Sequence, residues 1–343
     1  MTERVVHVAV DAHNLSRDNR GIGRYARAVL SRALNRKNVR FTLVVRGLLP
    51  RAAALSRALG GAAVTVARRI PRDADVVWFP WNGTFLETNL PSVATIHDAA
   101  PFAFPASDPR RRRVEQIPFL KTAATAAKIL VQSAFTASEV ERRLEVARER
   151  IVVTPLAADP VFSVGPVGKL PAAVAARPYI LHVGAHDERK NTTTLRDAYA
   201  RAFPGGEIAL AFTHRPPWPL PAGAVVAGAP DDVTLAALYR GATLVAMPST
   251  YEGFGFPLIE AMACGTPVLA ANAGSLPAIG GDAAAYVDEA LDAVAWSAAL
   301  HRLINDEKER ARRGALGPGQ AATFSWERCT DQTLSVLRDA ASH

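Results

Sequence analysis

The sequence predicts an α/β protein built from two Rossmann-like, doubly wound lobes that face a deep inter-domain cleft. A chain of 343 residues is longer than one hydrophobic core usually supports, which favours two domains. Short β-rich apolar runs alternate with helical stretches, a pattern typical of parallel sheets with helices on both faces. Five prolines between residues 155 and 178 interrupt the alternation, and we interpret that segment as the inter-domain linker.

The first lobe is expected to span residues 1–158. Its predicted strands are Val5–Val10, Phe41–Val45, Ala63–Val66, Val76–Phe79, Val93–Ile96 and Ile129–Val131. A glycine-containing turn precedes a helix predicted from about Ile22 to Leu34, and a second helix is predicted from near Ser133 to about Ala147.

The second lobe is expected to span residues 159–325. Its predicted strands are Tyr179–Val183, Ile208–Thr213, Val225–Ala227, Leu244–Met247, Pro267–Ala270 and Ala284–Val287. Its predicted helices are Asn191–Ala202, Asp232–Arg240, Pro257–Ala263 and Leu291–Ile304. A final helix is predicted over roughly Trp326–Ala341. Ligands of such lobes bind beyond the carboxyl ends of the strands, so the cleft is the expected site.

The composition is that of an ordinary globular protein, with 49% hydrophobic and 21% charged residues. Cys264 and Cys329 give neither a metal-ligand spacing nor a disulfide framework. The N-terminal residues lack the apolar core of a signal peptide, and no run approaches the roughly 20 apolar residues of a membrane span. We therefore expect a cytoplasmic protein that is at most peripheral at the inner face of the cell membrane.

The positive charge is concentrated in the first lobe. Residues 1–158 hold 25 Lys and Arg against 13 Asp and Glu, whereas residues 159–343 hold 15 against 19. The excess favours an anionic membrane surface or a phosphate-bearing acceptor, or it is a solvated basic surface with no partner. Few aromatic residues lie near these arginines, so no nucleic-acid partner is expected.

The most informative segment is Pro248–Pro267, which follows an apolar strand. Its glycines allow close approach of the backbone to a ligand, and Pro257 suits the first turn of a helix. A helix N-terminus behind such a loop attracts phosphate. Glu252 and Glu260, eight positions apart, can accept hydrogen bonds from the vicinal hydroxyls of a sugar and a ribose. On spacing alone, an ordinary Rossmann-type turn with a solvated glutamate remains the alternative.

Three further segments lie where ligands of these lobes bind. Gly184–Asn191 carries Arg189 and Lys190, which can neutralise a diphosphate and stabilise a leaving group, or simply begin a helix. His97, at a strand end, can hydrogen-bond a sugar hydroxyl or serve a structural role. Asn19–Tyr25 places Gly21 and Gly23 before the first helix without the third glycine of a dinucleotide fingerprint, so NAD binding is not indicated.

These residues together resemble family 4 of the retaining glycosyltransferases, which belongs to the GT-B superfamily. The similarity extends over nearly the whole chain. It rests on the turn Gly21–Tyr25, the pair His97–Asp98, the helix start Val131–Val140, the linker start, Gly184–Asn191, the loop Ala227–Asp232, and the Glu-x7-Glu stretch with its Cys-Gly-Thr-Pro-Val tail.

The resemblance implies roles for individual residues. Arg189 and Lys190 would bind the donor diphosphate, Glu252 the transferred sugar, and Glu260 the ribose hydroxyls. Gly23 would approach the phosphates from the other lobe, His97 would sit over the sugar, and the final helix would pack back on lobe one. The residues implied in donor binding are Gly21, Gly23, Gly184, Arg189, Lys190, Glu252, Gly253, Phe254, Gly255, Phe256 and Glu260.

The resemblance also implies a reaction without a metal or another cofactor, in which the leaving phosphate helps to deprotonate the acceptor. Relatives with a similar start are often mannosyltransferases that use GDP-mannose. Two departures concern loop detail only: Leu156–Asp159 stands where many members have Asn-Gly-Val-Asp, and Asp187-Glu188 precedes the Arg-Lys pair. The expected acceptor is a glycan, carried on a lipid, in bacterial cell-surface polysaccharide or glycolipid synthesis.

The arginine run Arg110, Arg111, Arg112 and Arg113 is the candidate acceptor or membrane side of the first lobe. An exposed basic loop with no partner is the alternative. At the level of the whole protein, the alternatives are a glycosyltransferase that uses a UDP-sugar or another acceptor, an epimerase or phosphorylase of similar fold, and a non-catalytic protein that binds a nucleotide-sugar or nucleic acid.

Overall fold

The computed structural model describes residues 4–18, 21–46 and 52–342, and these residues form two compact units. Unit 1 contains the chain up to Leu156 and again from Ser325, and unit 2 contains Ala157–Phe324. The sequence places the first division at 158/159 and the second near 325/326. The assignment of an acceptor role to one unit and a donor role to the other stays a prediction.

Unit 1 is built on a parallel sheet of seven strands within the described residues. The strands are β1 Val6–Asp11, β2 Val39–Val44, β3 Thr65–Ala67, β4 Val76–Asn82, β5 Ser92–Thr95, β6 Lys128–Val131 and β7 Ile151–Val153. Their order is β3-β2-β1-β4-β5-β6-β7, with Val8 opposite both Phe41 and Val76. The strand order therefore reverses between β1 and β4.

The helices of unit 1 cover both faces of this sheet. They are α1 Gly21–Ala33, α2 Ala52–Ala58, α3 Ala100–Ala103, α4 Pro109–Thr125 and α5 Ala134–Leu144 in the first part of the chain. Ser133 begins α5 because its side chain accepts a hydrogen bond from the Thr136 amide. Asp108 caps α4 in the same way, and Pro109 occupies the first turn. Sequence reasoning did not anticipate α4.

A last helix brings the C-terminal residues back to unit 1, as the resemblance implies. In the structure α13, Trp326–Ala341, packs against α1 and strands of the sheet. Its apolar face is buried, and the Arg36 guanidinium lies 3.0 Å from Glu327 and 2.8 Å from Asp331. Apolar burial contributes most of this contact, since exposed ion pairs contribute about 0–1 kcal/mol each.

Unit 2 repeats the design with six parallel strands among its described residues. The strands are β8 Tyr179–His182, β9 Ala209–Phe212, β10 Ala224–Val226, β11 Leu244–Met247, β12 Val268–Ala271 and β13 Ala284–Val287. Their order is β10-β9-β8-β11-β12-β13, so the reversal lies between β8 and β11. A core that includes Tyr199, Phe212 and Trp296 lies on one face of this sheet. Two Rossmann-like α/β units confirm the predicted fold class.

Unit 2 carries seven helices within the described residues. They are α6 Ala172–Ala175, α7 Thr192–Ala202, α8 Asp232–Gly241, α9 Phe256–Ala263, α10 Leu276–Gly280, α11 Ala293–Asn305 and α12 Glu307–Ala322. The sequence did not predict α12, which contains Pro318. Two of its glycines allow α12 to pass close to α9 and the turn after it. A Cβ on Gly314 would lie 2.7 Å from the Gly265 carbonyl oxygen, and a Cβ on Gly317 would lie 2.8 Å from the Met262 carbonyl oxygen.

Helix α9 begins and ends at glycines, as the sequence indicates. Gly255 caps it with φ +98°, a conformation that glycine adopts without strain, and Pro257 lies in its first turn. Gly265, with φ +77°, follows the helix at its C-terminal end. Helix α9 is therefore bounded at both ends by backbone conformations that favour glycine.

Candidate functional site

Two loops meet at the reversal of strand order in unit 2. One follows β8 and contains Arg189 and Lys190, and the other follows β11 and contains Glu252. Backbone and side-chain hydrogen bonds join them: the Thr250 amide donates to the Arg189 carbonyl at 2.8 Å, and the Asn191 side-chain amide donates to the Pro248 carbonyl at 3.2 Å. Ligands of doubly wound sheets bind at such a reversal, so the loops occupy the expected place.

Three charged side chains form the centre of this site. Lys190 Nζ lies 2.6 Å from Glu252 Oε1, and Arg189 Nη1 lies 3.7 Å from Glu252 Oε2. The Glu252 side chain is 8% exposed and that of Lys190 is 11% exposed. We call these three residues the charged cluster. Arg189 Nε also lies 3.4 Å from Asp187 Oδ1, so carboxylates balance both cations, and a diphosphate can compete with these carboxylates for Arg189 and Lys190.

The charged cluster sets the ionisation of Glu252. Burial raises the pKa of this carboxyl group, but the positive charges of Lys190 and Arg189, with hydrogen bonds from Lys190 and Ser249, outweigh burial and hold the pKa below its usual value. Glu252 is therefore ionised at neutral pH and can only accept hydrogen bonds.

Glycines allow the backbone to pass close to this cluster. Gly184 has φ +134°, and a Cβ there would lie 3.8 Å from Lys190 Nζ. Gly274 has φ +62°, and a Cβ on it would lie 3.0 Å from the Glu252 amide nitrogen. Ser275 then donates to the Phe254 carbonyl at 3.0 Å. Sequence reasoning singled out Gly184 but missed Gly274 and Ser275, which follow β12 without any recognisable motif.

His182, the last residue of β8, was also missed. Its Nδ1 lies 3.1 Å from the Ala246 carbonyl oxygen and donates to it. Its buried Nε2 has no hydrogen-bond partner within the described part of the chain. Burial is the main cause that lowers the pKa of His182 to about 3, and the nearby charge of Lys190 lowers it further. The imidazole is therefore neutral beneath the charged cluster.

Glu260 lies in α9 and is buried. The Tyr239 hydroxyl donates to its Oε2 at 2.9 Å, so part of its acceptor capacity is used within the protein. Phe254 and Phe256 flank the start of the helix, with ring centroids 6.1 Å apart. The predicted contacts of Glu260 with a ribose, and of the backbone of residues 253–256 with sugar and phosphate, stay predictions.

His97 lies in unit 1, just after β5. Its Nε2 lies 2.9 Å from the Pro80 carbonyl oxygen, which leaves Nδ1 as the acceptor of the neutral ring. The pairing of β4 with β5 shifts register between Phe79 and Asn82, and this bulge turns the Pro80 carbonyl towards His97. Burial lowers the pKa of His97. Both a structural role and the predicted contact with a sugar fit this geometry.

The turn before α1 has a packing requirement of its own. A Cβ on Gly23 would lie 1.8 Å from the Asp18 carbonyl oxygen, which also accepts a hydrogen bond from Arg27 at 2.6 Å. Gly21 begins α1, and Tyr25 is fully buried against Trp78. Asn19 and Arg20 lie outside the described residues. The predicted approach of Gly21 and Gly23 to phosphate stays a prediction.

The arginine run lies in the first turn of α4 and not in a loop. Arg111 pairs with Glu115 at 2.7 Å, and Arg112 donates to the Ala106 carbonyl at 2.9 Å. Arg110 and Arg113 are exposed, and no ion pair of either is present in the parts of the chain that the structure describes. A helix therefore presents these charges in a fixed order.

The described residues contain neither a metal-ligand cluster nor a helix that could cross a membrane. No group of three or more His, Cys, Asp or Glu side chains there is arranged to hold a metal ion. No helix in the described ranges is both long and apolar enough to cross a membrane. Asp11, the last residue of β1, and His13, two residues further on, form another polar pair that sequence reasoning missed, although their spacing at a strand end was a visible signal.

Comparison with known proteins identifies the family. Residues 220–318 match the family described as glycosyl transferases group 1. The chain is 33% identical over 272 residues to O-antigen chain mannosyltransferase B of Escherichia coli, which covers 72% of this chain and 70% of that protein. The chain belongs to the group 1 glycosyltransferases. These enzymes are similar to family 4 of the glycosyltransferases and have the GT-B fold.

Two further relatives match shorter stretches of this chain. A D-inositol 3-phosphate glycosyltransferase of Thermobifida fusca is 36% identical over 157 residues, covering 43% of this chain and 36% of that protein. The MMP alpha-(1->4)-mannosyltransferase of Mycolicibacterium hassiacum is 40% identical over 114 residues, covering 32% and 28%.

Solved structures show the same fold at low identity. Sucrose-phosphate synthase of Thermosynechococcus elongatus gives a TM-score of 0.74 at 20% identity, covering 98% of this chain and 99% of that one. HepE of Anabaena, in complex with UDP and glucose, gives 0.71 at 15% identity, covering 98% and 100%. WaaG, a glycosyltransferase involved in lipopolysaccharide biosynthesis, gives 0.67 at 15%, covering 97% and 99%.

Proposed function

We propose that this glycosyltransferase moves mannose from GDP-mannose to a glycan acceptor carried on a lipid, with retention of configuration at the transferred carbon. The product would enter a cell-surface polysaccharide or glycolipid. The observation that carries the proposal is the charged cluster at the strand-order reversal of unit 2. A donor needs cations for its diphosphate and, next to them, a carboxylate that accepts hydrogen bonds from its sugar hydroxyls.

The charged cluster supports a defined exchange of partners. The diphosphate of the donor would take Lys190 and Arg189 away from Glu252, and the cations would stabilise the leaving phosphate as its negative charge grows. Glu252 would then accept hydrogen bonds from two hydroxyls of the sugar. In this proposal Glu260 accepts from the ribose hydroxyls, and the backbone of residues 253–256 contacts sugar and phosphate.

The proposed chemistry needs neither a metal nor a covalent intermediate on the protein. The bond between the sugar carbon C1 and the phosphate oxygen breaks, and a bond between C1 and the acceptor oxygen forms on the same face. The acceptor proton passes to the leaving phosphate. His97 Nδ1 would hold a sugar hydroxyl, and Gly21 and Gly23 would approach the phosphates from unit 1.

Two of the three relatives described above support mannose as the transferred sugar. The curated relative with the longest match given above is named a mannosyltransferase, and the mycobacterial relative is another. The HepE structure contains UDP and glucose, but a 15% identity supports the fold and not the donor. Transfer from a UDP-sugar is therefore the second candidate function, and binding of the donor without transfer is the third.

A thermal-shift screen against GDP, UDP, ADP and their common sugars, with and without Mg²⁺, tests the donor. A ligand at 100 times its Kd should add about 2.7 kcal/mol of stability. We expect a selective rise with GDP and GDP-mannose that does not depend on Mg²⁺. A rise in unfolding temperature with UDP species instead would contradict GDP-mannose as the donor and support the UDP-sugar alternative. No rise with any nucleotide would contradict the proposed donor site.

Transfer itself is tested with radiolabelled donor and a lipid-linked glycan extract, followed by NMR of the product. We expect a new glycosidic bond with the anomeric configuration of the donor. Nucleotide binding without any transfer would favour the non-catalytic alternative.

The proposal also places α4 at an anionic membrane. Val114, Ile117 and Leu120 are exposed and lie three residues apart, so they share one side of the helix. Arg110 and Arg113 project from the same side, whereas Phe119 is buried on the opposite side. Exposed apolar residues among arginines suit the boundary between lipid headgroups and acyl chains.

The double variant Arg110→Ser and Arg113→Ser tests this placement by flotation with vesicles that contain anionic lipid. Each arginine near such a surface contributes about 1 kcal/mol, so binding should fall by roughly tenfold or more and should weaken with salt. Arg69→Ser with Arg72→Ser, two exposed arginines of the same unit, is the matched control. Equal flotation of both double variants would leave α4 as an exposed basic helix.

A further inference from the structure

A polar and aromatic cluster occupies the strand-order reversal of unit 1. It contains Asp11 and His13 at the end of β1 and Trp81 and Phe85 at the end of β4, and we call it the His13 cluster. The sheet order of unit 1 reverses between these two strands. In doubly wound sheets the crevice at this reversal is where a ligand binds.

Asp11 orients the imidazole of His13. His13 Nδ1 lies 2.8 Å from Asp11 Oδ1, and the backbone amide of His13 donates to the same oxygen at 3.3 Å. The Asp11 side chain is buried, whereas that of His13 is 33% exposed. Because Nδ1 donates to Asp11, Nε2 is the ring nitrogen left for a ligand, and without a proton it accepts a hydrogen bond. The described residues supply no hydrogen bond to this nitrogen.

Two aromatic rings frame the imidazole. The ring centroid of His13 lies 5.7 Å from that of Trp81 and 5.4 Å from that of Phe85. Trp81 Nε1 donates to the Asp11 carbonyl at 2.8 Å, which fixes the buried indole. Phe85 is 38% exposed, and the Arg46 guanidinium donates to its carbonyl oxygen. The exposed parts of the cluster are thus one aromatic ring and one hydrogen-bond acceptor.

Asp11 shows that the cluster is incompletely satisfied. Its Oδ2 is buried and has no hydrogen-bond partner among the described residues. Buried carboxylate oxygens in folded proteins are nearly always hydrogen-bonded, so this atom marks a place for a donor group or an ordered water. The carboxylate also disfavours a second negative charge nearby, which makes a phosphate a poor occupant.

We propose that the His13 cluster binds a pyranose ring of the acceptor glycan. The C–H face of the sugar packs on Phe85, and one of its hydroxyls donates to His13 Nε2. An uncharged polyol has both features that the cluster can satisfy: an apolar face for an aromatic ring and hydroxyl donors for an acceptor nitrogen. This inference rests on the proposed function, since it names the acceptor side of the same reaction.

Saturation-transfer NMR on the full chain tests this inference with methyl α-mannoside, methyl β-glucoside, methyl β-galactoside and α-mannobiose as probes. We expect saturation of sugar ring protons in the wild type and a loss of at least fivefold in His13→Ala and Phe85→Ala. Both side chains are partly exposed, so the variants should fold. His13→Gln keeps an acceptor oxygen and should recover part of the signal, whereas Leu316→Ala, an exposed apolar residue of unit 2, should change nothing.

Nucleotide binding, measured by thermal shift on the same samples, separates this inference from the proposed function. If nucleotides bind but no sugar is saturated, or if the two variants match the wild type, the His13 cluster does not bind sugar and the donor site still stands. If sugar saturation depends on His13 and Phe85 but no nucleotide binds, the inference holds and the proposed donor chemistry is wrong.

Discussion

The two units share a sheet order, but the residues at their strand-order reversals differ in kind. Unit 2 presents Lys190, Arg189 and Glu252, a largely buried set of charges, in the loops that follow β8 and β11. Unit 1 presents His13, Asp11 and an exposed phenylalanine ring at the ends of β1 and β4. The fold fixes the place of each site, whereas the side chains there decide whether it suits a diphosphate or a neutral sugar.

Lys190→Ala should give the largest loss in the free energy of unfolding, and this loss should exceed that of a substitution at the strand-order reversal of unit 1. It leaves Glu252 buried with Arg189 3.7 Å away, and removing one partner of a buried ion pair costs about 3–5 kcal/mol. His13→Gln keeps a side-chain amide that can donate to the buried Asp11, so it should cost only about 1 kcal/mol. Urea unfolding measures both variants.

The double variant Lys190→Met with Glu252→Gln removes both charges and should recover part of the lost stability. Recovery would attribute the loss to the unpaired carboxylate. Equal losses in Lys190→Ala and His13→Gln would contradict the view that the charged cluster contributes more to stability than the Asp11–His13 pair does.

Glu252→Ala and Glu260→Ala should separate two roles within unit 2. A hydrogen bond to a charged group contributes about 1.5–3 kcal/mol, so each loss should amount to roughly 10- to 100-fold. Glu252→Ala should lower kcat, whereas Glu260→Ala should raise the donor KM. Tyr239→Phe keeps Glu260 and removes only the hydroxyl that donates to it. Normal turnover by both alanine variants would show that the donor site lies elsewhere.

The sequence predicted what local pattern controls. Alternating strands and helices gave both sheets, and the motif from Pro248 to Pro267 gave the loop and helix that contain Glu252 and Glu260. Gly255 and Gly265 were informative because positive φ angles favour glycine over other residues.

The sequence did not predict what tertiary packing controls. Helix α12 contains Pro318 and several glycines that argue against a helix, yet close passage along α9 needs Gly314 and Gly317 and outweighs propensity. His182 carries no motif, because it acquires its role from Ala246 on another strand. Asp11 and His13 did offer a signal, their spacing at the end of a strand, but that spacing alone does not show that the two side chains pair. The sequence also gave no sign that the Asp18 carbonyl by itself requires a glycine at position 23, whereas the approach of Gly23 to phosphate stays a prediction.

His182→Gln should remove an acid-sensitive contribution to stability from unit 2. Burial lowers the pKa of His182 to about 3, so between that pH and its ordinary value near 6.5 the unfolded chain binds a proton that the folded chain does not. The stabilising effect is complete above about pH 6.5 and falls as the pH drops, by about 2 kcal/mol at pH 5.

Urea unfolding at pH 7 and pH 5 measures this difference in wild type and variant. Glutamine keeps a donor for the Ala246 carbonyl, and His301→Gln, an exposed position, controls for the loss of a histidine. Parallel losses in wild type and His182→Gln would contradict a neutral buried imidazole.

Two glycine substitutions should give the smallest effects, of opposite sign. Gly255→Ala places a side chain at φ +98° with its Cβ 2.8 Å from Leu276 Cδ2, so it should destabilise unit 2 by about 1–2 kcal/mol. Gly319→Ala, in α12 with no atom within 4 Å, should stabilise it by about 0.5–1 kcal/mol. Thermal unfolding measures both signs. A loss of nucleotide binding in Gly255→Ala alone would show that the unit 2 site depends on the backbone of this loop as well as on its charges, because the substitution leaves Lys190, Arg189 and Glu252 in place.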